Sequence, residues 1–384
     1  MSKKLRIAHI CLASSYTEGM NYQDNILPAQ NRADGHEVLV VADCTCYSNG
    51  KKITVSALNK TLDDGVRLVR LPFAGRFMPA VVRERVRWTP GLRDVIKDFR
   101  PDVILYHGLV GVELLTVGGY KRENPGVRLY MDSHMDSHNS GQSAVSRLLQ
   151  YKVMNRFLWN CIRGVVDKVF YVSYESRDFL HEIFRIPEQS MEFLPLGGFV
   201  KNSIDRARTR EATRGRYGFS AREVVFLHSG KFNRLKKTLQ LLRAFSRVDN
   251  SSYRLVLVGS FDEDIDTEAK ALIDKDSRVS YLGWRSGAEL QELLCASDCY
   301  VQPGTQSATL QSAICCALPV LIFPYSSHRP YMVGNGRFVA DEAELAAALK
   351  EMESGEVRSQ MSASSLAIAE KLLDYRLIAR RLYC

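Results

Sequence analysis

Apolar residues along this chain form short continuous runs, and helical patterns separate one run from the next. Continuous Val, Ile and Leu runs of this kind are typical of parallel strands that are covered on both faces. The pattern therefore predicts an α/β protein. In the first half of the chain the predicted strands are Leu5–Cys11, Glu37–Val41, Val66–Leu71, Val103–Tyr106, Val127–Met131 and Val169–Val172. In the second half they are Val224–Leu227, Arg254–Val258, Val279–Leu282, Cys299–Val301, Val320–Phe323 and Arg337–Val339.

Two series of strands predict two doubly wound domains. The join is expected near Pro195, where a proline and two glycines interrupt the periodicity. We expect an N-terminal domain over residues 1–196 and a C-terminal domain over residues 197–370, with residues 371–384 forming a helix that packs back towards the first domain. Ligands of doubly wound sheets bind at the carboxyl ends of strands. Polar residues that follow strands are therefore the candidate site residues.

The longest predicted helix covers residues 144–167. This spacing predicts an amphipathic helix with its basic residues on the surface. Apolar residues recur at every fourth position, namely Val145, Leu149, Val153, Phe157, Cys161 and Val165.

Composition narrows the class of protein but does not choose a function. The chain is 46% hydrophobic and 25% charged, as in soluble globular proteins, and its net charge of +9 indicates a polyanionic partner. No apolar stretch approaches the ~20 residues that a membrane-spanning helix needs. Nine scattered cysteines show neither a disulfide framework nor zinc-site spacing. We therefore expect reduced thiols, a cytoplasmic location and no bound metal.

Positive charge is concentrated in the segment HSGKFNRLKKT, residues 228–238. A strand is predicted to end near Gly230, and a helix follows that carries Lys237. Lys231, Arg234 and Lys236 lie between them. Ammonium groups and helix N-terminal amides at one point suit a phosphate or diphosphate. The alternative is a solvated helix start.

A second candidate anion site is PGTQSATLQSAICCALPVLIF, residues 303–323. A Pro-Gly turn leads into a predicted helix over Leu310–Ala317. Ser307 and Thr309 are candidate N-cap residues. The alternative is an ordinary capped helix that packs on the sheet.

Two further polar segments follow strands in the first half. In LYMDSHMDSHNSG, Asp132, His134, Asp136 and His138 alternate, which suits acid–base work, hydroxyl recognition or, less favoured, a metal. His107 follows another strand, where a structural role is the alternative. The segment SSYTEGMNYQDN, residues 14–25, offers side chains for carbohydrate hydroxyls or phosphate and lacks the GxGxxG pattern.

Residues 76–100 interleave apolar and basic side chains. This pattern suits adsorption to an anionic membrane surface, and a solvated basic surface beside a core helix is the alternative. The apolar residues are Phe77, Met78, Val81, Val82 and Trp88, and the basic ones are Arg76, Arg83, Arg85, Arg87, Arg93, Lys97 and Arg100.

These segments, in this order, resemble the bacterial family-4 glycosyltransferases of the GT-B fold over almost the whole chain. The C-terminal segments that carry the likeness are SGKFNRLKKTLQLLRAF, LVLVGS, VSYLGW, LLCASDCYVQPG, CCALPVL and GNGRFV. The N-terminal segment SYTEGMNYQDNILPAQNRADGHEVLVVA resembles the opening of enzymes from capsule or O-antigen assembly. The resemblance implies two Rossmann-like domains that face each other across a cleft.

The same resemblance implies an activity. It is the transfer of a sugar from a nucleotide-sugar, UDP- or GDP-linked, to an acceptor hydroxyl of a lipid-linked or other saccharide. Anomeric configuration would be retained, and neither a metal nor another cofactor would be needed. A peripheral position on the inner face of the cytoplasmic membrane is a further hypothesis.

The resemblance also implies roles for individual residues. Lys231 and Lys237 match a basic pair that binds the donor diphosphate, and His134 matches a histidine close to the transferred sugar. The other implied donor-binding residues are Gly230, Trp284, Arg285, Gln306, Ser307, Ala308, Thr309, Gln311 and Ser312. The expected acceptor-binding residues are Tyr16, Gly19, Asn21, Tyr22, Gln23, Asp132, Asp136 and His138.

One departure from the family pattern keeps alternatives open. The family carries a pair of glutamates before its ACG-P-V turn, whereas Gln311 and Ser312 stand in that segment here. Neutral side chains lose charge-assisted contacts worth roughly 1–3 kcal/mol each. A catalytically degenerate partner subunit and a nucleotide-sugar epimerase are therefore alternative functions. Nucleic-acid binding is not expected, because the sequence shows no recognition helix or aromatic platform.

Overall fold

The computed structural model describes residues 3–48, 51–75, 77–137 and 139–384. The chain divides into two compact units. The N-terminal unit comprises the chain up to Pro195 together with Ile378–Cys384, and the C-terminal unit is Leu196–Leu377. Arg76 and His138, which the sequence singled out, lie outside the described residues.

The N-terminal unit contains an eight-stranded sheet in the order β10-β9-β8-β7-β1-β2-β6-β5. Its pairs are parallel, except that β5 runs antiparallel to β6. The six strands predicted for this half are confirmed. The strands are β1 Arg6–Cys11, β2 Glu37–Asp43, β5 Leu58–Thr61, β6 Arg67–Leu71, β7 Val103–His107, β8 Arg128–Ser133, β9 Lys168–Tyr171 and β10 Met191–Phe193, beside a separate hairpin of β3 Thr45–Ser48 and β4 Lys51–Thr54.

The sequence pattern misses β3, β4, β5 and β10. Strand β4 is exposed at every position and β5 at most positions. Polar strands of this kind contain no apolar run that could reveal them. Strand β10 has only three residues, all of them partly buried.

The main core of this unit includes Ala8 and Ile10 of β1, Ile104 and Tyr106 of β7, and Leu129 and Met131 of β8. The α-helices are α1 Gln23–Ala33, α2 Ala80–Val86, α3 Leu92–Phe99, α4 Glu113–Glu123, α5 Arg156–Ile162 and α6 Tyr174–Phe179. Residues Ser146–Asn155 and Leu180–Phe184 form π-helical segments, and Glu188–Ser190 forms a 3-10 turn.

The predicted helix over residues 144–167 has a different packing from that expected of its apolar repeat. It begins as the π-helix Ser146–Asn155 and continues as α5. The side that packs into the core carries Leu158, Trp159 and Ile162. The repeat at every fourth position instead remains in solvent, with Val145, Leu149, Val153 and Phe157 between 55% and 64% exposed.

The C-terminal end of the chain belongs to the N-terminal unit from Ile378 onwards. Helix α14 spans Tyr375–Arg380. Beyond it, Arg381 forms an ion pair with Glu192, and the ring of Tyr383 packs edge-on against His36 with centroids 4.3 Å apart. Ile378 and Leu382 are buried.

The C-terminal unit contains a six-stranded parallel sheet in the order β13-β12-β11-β14-β15-β16. The six strands predicted for this half are confirmed. They are β11 Val224–Phe232, β12 Tyr253–Phe261, β13 Val279–Tyr281, β14 Cys299–Gln302, β15 Val320–Ile322 and β16 Gly336–Phe338. The helices are α7 Ser203–Tyr217, α8 Thr238–Ser246, α9 Glu263–Asp274, α10 Gly287–Ala296, α11 Thr309–Cys315, α12 Glu342–Glu351 and α13 Gly355–Ile368. Two 3-10 turns, Arg234–Lys236 and Ser326–Tyr331, and a π-helical segment, Ala369–Leu373, complete the unit.

Strands β11 and β12 pair further along the chain than the apolar runs predict. Their register continues to the pair Phe232 and Phe261 and includes Gly230 opposite Gly259. Gly259 has φ +155°, and a Cβ at this residue would lie 1.7 Å from the carbonyl oxygen of Gly230. The long strand pair therefore requires glycine at this position.

A buried histidine joins β11 to its neighbours. His228 lies on β11, with Nδ1 2.8 Å from the carbonyl oxygen of Val301 on β14 and Nε2 3.0 Å from Oγ1 of Thr238 on α8. Burial lowers the pKa of His228 from 6.5 to about 4. The imidazole is therefore neutral in the folded protein at neutral pH.

We expect His228 to make the protein acid-sensitive. Its folded pKa lies below the unfolded value, so between about pH 6.5 and pH 4 the unfolded chain binds the extra proton. The free energy of unfolding then falls by up to about 1.4 kcal/mol per pH unit from this group. Urea unfolding of wild type and His228→Gln at several pH values measures this slope. The variant should show a shallower loss of stability on acidification, and an unchanged slope would contradict the assignment.

Candidate functional site

In the N-terminal unit, a buried ion pair forms where two neighbouring strands end. His107 is the last residue of β7, and Asp132 lies near the end of β8. Nδ1 of His107 is 2.7 Å from Oδ2 of Asp132, and Asp132 is fully buried. The backbone N–H of Gly108 donates to Oδ1 of Asp132 at 3.1 Å. The carboxylate is thus held by a side chain and by the backbone.

Each member of this pair stabilises the charged form of the other. Burial lowers the pKa of His107, but the Asp132 charge opposes this and raises the pKa well above its usual value. Burial raises the pKa of Asp132, but the His107 charge outweighs this and lowers it. An imidazolium and a carboxylate therefore persist together at neutral pH.

Two residues that the sequence did not single out extend this arrangement. Nδ1 of His9, on β1, is 3.0 Å from Nε2 of His107, and Nε2 of His9 is 2.9 Å from Oδ1 of Asn31. Burial, followed by the neighbouring His107 charge, lowers the pKa of His9 to about 3. A neutral His9 can thus accept from His107 and donate to Asn31. The histidine within the apolar run IAHIC was the available signal in the sequence.

His134 lies at the exposed edge of this buried pair. It follows β8, its side chain is 40% exposed, and its Nε2 is 3.9 Å from Oδ2 of Asp132. Asp132 is fully buried, and its predicted role in binding an acceptor stays a prediction. Asp136 lies in the following turn, where the N–H of Asn139 donates to its Oδ1 at 2.9 Å. The position of His138 lies outside the described residues.

The segment after β1 is organised around a buried arginine. Arg70 donates to the carbonyl oxygens of Tyr16 and Asp43, each at 2.9 Å. Tyr16 is itself buried, as is Gln23, the first residue of α1, whose amide has no hydrogen-bond partner among the described residues. The side chains of Tyr16 and Gln23 are therefore covered in this structure, and their contact with an acceptor stays a prediction. The exposed members of the predicted set are Gly19, Asn21 and Tyr22.

In the C-terminal unit, two of the four clustered cations face acidic residues at the start of α9. Nζ of Lys231, at the end of β11, is 3.7 Å from Asp262, and the Lys231 side chain is 74% exposed. Nε of Arg234 donates to Asp264 at 2.8 Å. Asp262 is the N-cap residue of α9 and Asp264 lies in its first turn, where carboxylates are stabilised by the helix dipole.

The two adjacent lysines point to different partners. Nζ of Lys236 donates to the carbonyl oxygens of Gln306 at 2.7 Å and Thr305 at 3.1 Å. Nζ of Lys237 donates to the carbonyl oxygen of Ala340 at 3.2 Å and lies 4.0 Å from the ring centre of Phe323. Lys236 is therefore the lysine that reaches the loop after β14.

This loop packs tightly against the turn that carries Lys236. A Cβ at Gly304 would lie 2.2 Å from the carbonyl oxygen of Leu235, and the N–H of Thr305 donates to that oxygen at 3.0 Å. Gly230 borders the same place, since a Cβ there would lie 3.6 Å from Cε of Lys236. Burial lowers the pKa of Lys236 to about 8. We call Gly230, Lys231, Lys236 and residues 304–306 the lysine loop site.

The start of α11 differs from the predicted N-cap. The helix begins at Thr309, and Ala308 occupies the cap position without a capping side chain. When the amide oxygen and nitrogen of the buried Gln311 side chain are exchanged, which satisfies both atoms, the nitrogen donates to the carbonyl oxygens of Ser307 at 3.3 Å and Ala308 at 3.1 Å. Gln311 therefore stabilises its own helix start instead of facing outward, whereas Ser312 is partly buried.

The remaining predicted donor residues keep exposed surface. Gln306 is exposed in the loop that Lys236 holds. Trp284 is 70% exposed after β13, and Nη1 of Arg285 donates to the carbonyl oxygen of Trp284 at 3.1 Å. An exposed indole can stack on a flat ring. Within the described residues, no three His, Cys, Asp or Glu side chains are grouped so that they could hold a metal ion.

Two family models match this chain. Residues 25–197 match the model described as glycosyl transferase 4-like domain, and residues 223–354 match glycosyl transferases group 1. A search of curated proteins returned no match.

Solved glycosyltransferase structures share the fold over nearly the whole chain. Sucrose-phosphate synthase from Thermosynechococcus elongatus has a TM-score of 0.69 at 16% identity, covering 98% of this chain and 97% of that one. HepE from Anabaena, in complex with UDP and glucose, has a TM-score of 0.64 at 16% identity, covering 98% of each chain. WaaG, a glycosyltransferase involved in lipopolysaccharide biosynthesis, has a TM-score of 0.63 at 16% identity and covers 98% and 99%. The likeness to solved structures shows the two-domain GT-B fold. The family models identify the chain as a glycosyltransferase, with a glycosyl transferase 4-like domain followed by a group 1 domain.

Proposed function

We propose that this glycosyltransferase transfers a sugar from a UDP- or GDP-linked donor to a hydroxyl of a lipid-linked saccharide in bacterial surface polysaccharide synthesis. The reaction retains anomeric configuration and uses no metal. The observation that carries the proposal is the lysine loop site. There, the ammonium group of Lys236 is fixed by the carbonyl oxygens of Thr305 and Gln306. Gly230 and the exposed Lys231 lie at the end of β11 just before it.

The lysine loop site suits a leaving diphosphate. Breaking the glycosyl–phosphate bond places negative charge on the diphosphate, and preorganised cations stabilise that charge as it develops. Lys236 is already positioned by Thr305 and Gln306, so little reorganisation is needed when the donor binds. HepE was solved with UDP and glucose, and the catalytic domain of starch synthase IV with ADP, which supports a nucleoside diphosphate as the ligand here.

Lys237 has a smaller part in this proposal than its match to the family pair implies. Its ammonium group already contacts the carbonyl of Ala340 and the ring of Phe323. Lys231 and Lys236 are therefore the pair that we assign to the diphosphate. Lys237 sits in the left-handed region, with φ 54°, directly before α8.

His134 is the residue that we assign to the transferred sugar. It combines an exposed imidazole with the buried carboxylate of Asp132 only 3.9 Å away. Asp132, kept ionised by His107, lies close enough to His134 to orient its ring. A hydrogen bond from His134 to a sugar hydroxyl then positions the anomeric carbon.

An exposed apolar face supports a membrane-bound acceptor. The two segments that carry this face, α2 and the π-helix, both hydrogen-bond to the turn at Gly111 and Val112. The N–H of Val112 donates to the carbonyl oxygen of Val86 at the end of α2, and the N–H of Gly111 donates to Asn155 of the π-helix. Helix α2 buries none of its seven residues. We define this exposed apolar face as Phe77, Met78, Val81, Val82 and Trp88 together with Val145, Leu149, Val153 and Phe157.

Basic residues accompany the exposed apolar face. Arg83 and Arg85 lie in α2, and Lys152 lies in the π-helix. Apolar side chains with basic neighbours favour adsorption to anionic lipid. The described residues include no helix that is both long and apolar enough to cross a membrane. WaaG, which shares the fold, is involved in lipopolysaccharide biosynthesis, and this supports our proposal of a lipid-linked acceptor for the present protein.

One observation favours a second candidate, the degenerate partner subunit. Gln311 turns towards Ser307 and Ala308, and no carboxylate replaces the family's glutamates in this segment. A partner subunit would bind nucleotide without turnover. A nucleotide-sugar epimerase, in contrast, would convert the donor without any acceptor.

Nucleotide binding should depend on Lys236 more than on Lys237. We expect UDP or GDP to raise the unfolding temperature of the wild type, and Lys236→Ala to weaken binding at least about tenfold through loss of a charge-assisted contact. Lys237→Ala, the matched neighbour, should bind within about threefold of wild type by the same measure. A thermal-shift titration with UDP, GDP, ADP and CMP tests this. Equal affinity of wild type and Lys236→Ala would refute the assignment.

Turnover should depend on His134 without a change in nucleotide affinity. We expect His134→Ala to reduce the rate of sugar transfer about 100-fold, because misplacement of the reacting sugar costs on the order of 100-fold in rate. The assay measures nucleoside diphosphate released from the donor in the presence of membrane extract. UDP or GDP affinity serves as the control. A variant with wild-type turnover would exclude His134 from the reaction.

Membrane adsorption should require the exposed apolar face. We expect wild type to co-sediment with phosphatidylglycerol vesicles at low salt and to bind phosphatidylcholine vesicles weakly. The double variant Val81→Ser, Phe157→Ser should bind about tenfold or more weakly, because two apolar groups no longer enter the interface. Val333→Ser, equally exposed in the C-terminal unit, is the matched control. If the double variant bound phosphatidylglycerol vesicles as strongly as wild type, the exposed apolar face could not be the membrane-binding surface.

A further inference from the structure

The C-terminal unit contains a cavity at the edge of its sheet opposite the lysine loop site. Its volume is about 360 Å³, which is within the range of small-molecule pockets. The turns before β14 and β15 line it, at Ser297 and Pro319, together with the first turns of α7 and α13. Residues of the lysine loop site follow the carboxyl ends of strands, so the two sites are separate. We call this second one the arginine cavity.

Positive charge predominates in the arginine cavity. Arg206, Arg210 and Arg358 line it, and Asp298 contributes the one carboxylate among the lining residues of the described chain. That carboxylate is already occupied, since it accepts from Arg210 at 2.5 Å, from Arg214 at 3.2 Å and from a backbone amide at 2.8 Å. It therefore cannot neutralise the remaining guanidinium groups.

Arg206 is the clearest sign of a missing ligand. Its Nη1 atom is buried and has no hydrogen-bond partner within the described residues. A buried, charged donor without an acceptor destabilises the folded protein, and such groups in native structures need an explanation. An anion in the cavity would supply the acceptor.

Other donors surround the same space. Nη1 of Arg358 donates to the carbonyl oxygens of Met352 and Glu353, which leaves its other nitrogens without an acceptor in the described chain. The hydroxyl groups of Ser203 and Ser359 also line the cavity. Helices α7 and α13 are 15 and 14 residues long and begin here, so each adds the partial positive charge of its N-terminus.

A cysteine thiol in the cavity already responds to this field. Cys295 hydrogen-bonds with Cys316, their sulfurs being 3.7 Å apart. That bond is the main reason that the pKa of the Cys295 thiol is lowered to about 7; burial raises this pKa, and the charges of Lys201, Arg206 and Arg210 lower it further. The direction of these charges agrees with the excess of cations in the cavity lining.

We propose that the arginine cavity binds a small phosphate-bearing anion, with Arg206 and Arg358 donating to its oxygens. Guanidinium forks from two helices, with hydroxyl groups between them, suit the several oxygens of a phosphate or phosphate monoester better than a single carboxylate. The inference concerns a second ligand and is independent of the proposed donor and acceptor.

Thermal unfolding in inorganic phosphate, at ionic strength held constant with sodium chloride, tests the proposal on the full chain. Wild type should show a saturable rise in unfolding temperature, and glycerol 3-phosphate should produce one as well. Arg206→Ala should weaken the apparent affinity at least about tenfold. In chloride alone, Arg206→Ala should unfold at the same or a higher temperature than wild type, because it removes the unpartnered charge. Arg358→Ala provides a second variant of the same site.

Two controls locate the bound phosphate. Arg208→Ala, on an exposed position of the same helix that does not line the cavity, should respond to phosphate as wild type does. Lys236→Ala should also respond as wild type does. The proposal would be overturned if the unfolding temperature of wild type showed no saturable rise with phosphate. It would also be overturned if Arg206→Ala kept the rise and Lys236→Ala lost it, because the anion would then bind at the lysine loop site.

Discussion

Parallel strand pairing is the constraint on which both candidate sites depend. Because neighbouring parallel strands run in the same direction, the residues that follow them meet at one edge of the sheet. In the N-terminal unit this brings His107 at the end of β7 next to Asp132 near the end of β8. In the C-terminal unit it brings the loop after β14 onto the turn after β11, with Gly304 against Leu235. Residues far apart in sequence thus become one site.

The protein accommodates buried charge in three different ways. Asp132 and His107 neutralise each other as an ion pair. Lys236 has backbone carbonyl oxygens as partners and is partly desolvated, which lowers its pKa to about 8 and leaves its charge available to an anion. Arg206 has no partner for Nη1 among the described residues. The three groups therefore differ in how fully their charge is compensated within the protein, and the two cations that are less compensated are the ones that we propose bind anions.

The exposed apolar face shows that an amphipathic pattern does not by itself identify the buried side. In the helical segment from Ser146 to Ile162, the apolar repeat at every fourth position is misleading: Leu149, Val153 and Phe157 remain in solvent, whereas Leu158 and Trp159 pack into the core. The π-helical start changes which residues align, because its turn is wider than that of an α-helix. A surface of this kind on a glycosyltransferase is compatible with work at a lipid interface.

The amino-acid sequence by itself determined the alternation of buried strands and helices and the concentration of cations after β11, because apolar runs and local charge are visible without tertiary contacts. The GT-B fold followed from the resemblance of its segments to family-4 glycosyltransferases and not from this pattern. Polar strands such as β4 escaped detection because exposure leaves no apolar pattern. Only the tertiary structure decided that Lys236, and not Lys237, reaches the loop after β14, since adjacent side chains diverge in a turn. It likewise decided that Asp132 is buried beside His134, that His9 contacts His107 and that Nη1 of Arg206 is buried without a partner in the described chain, because these depend on contacts between residues distant in the chain.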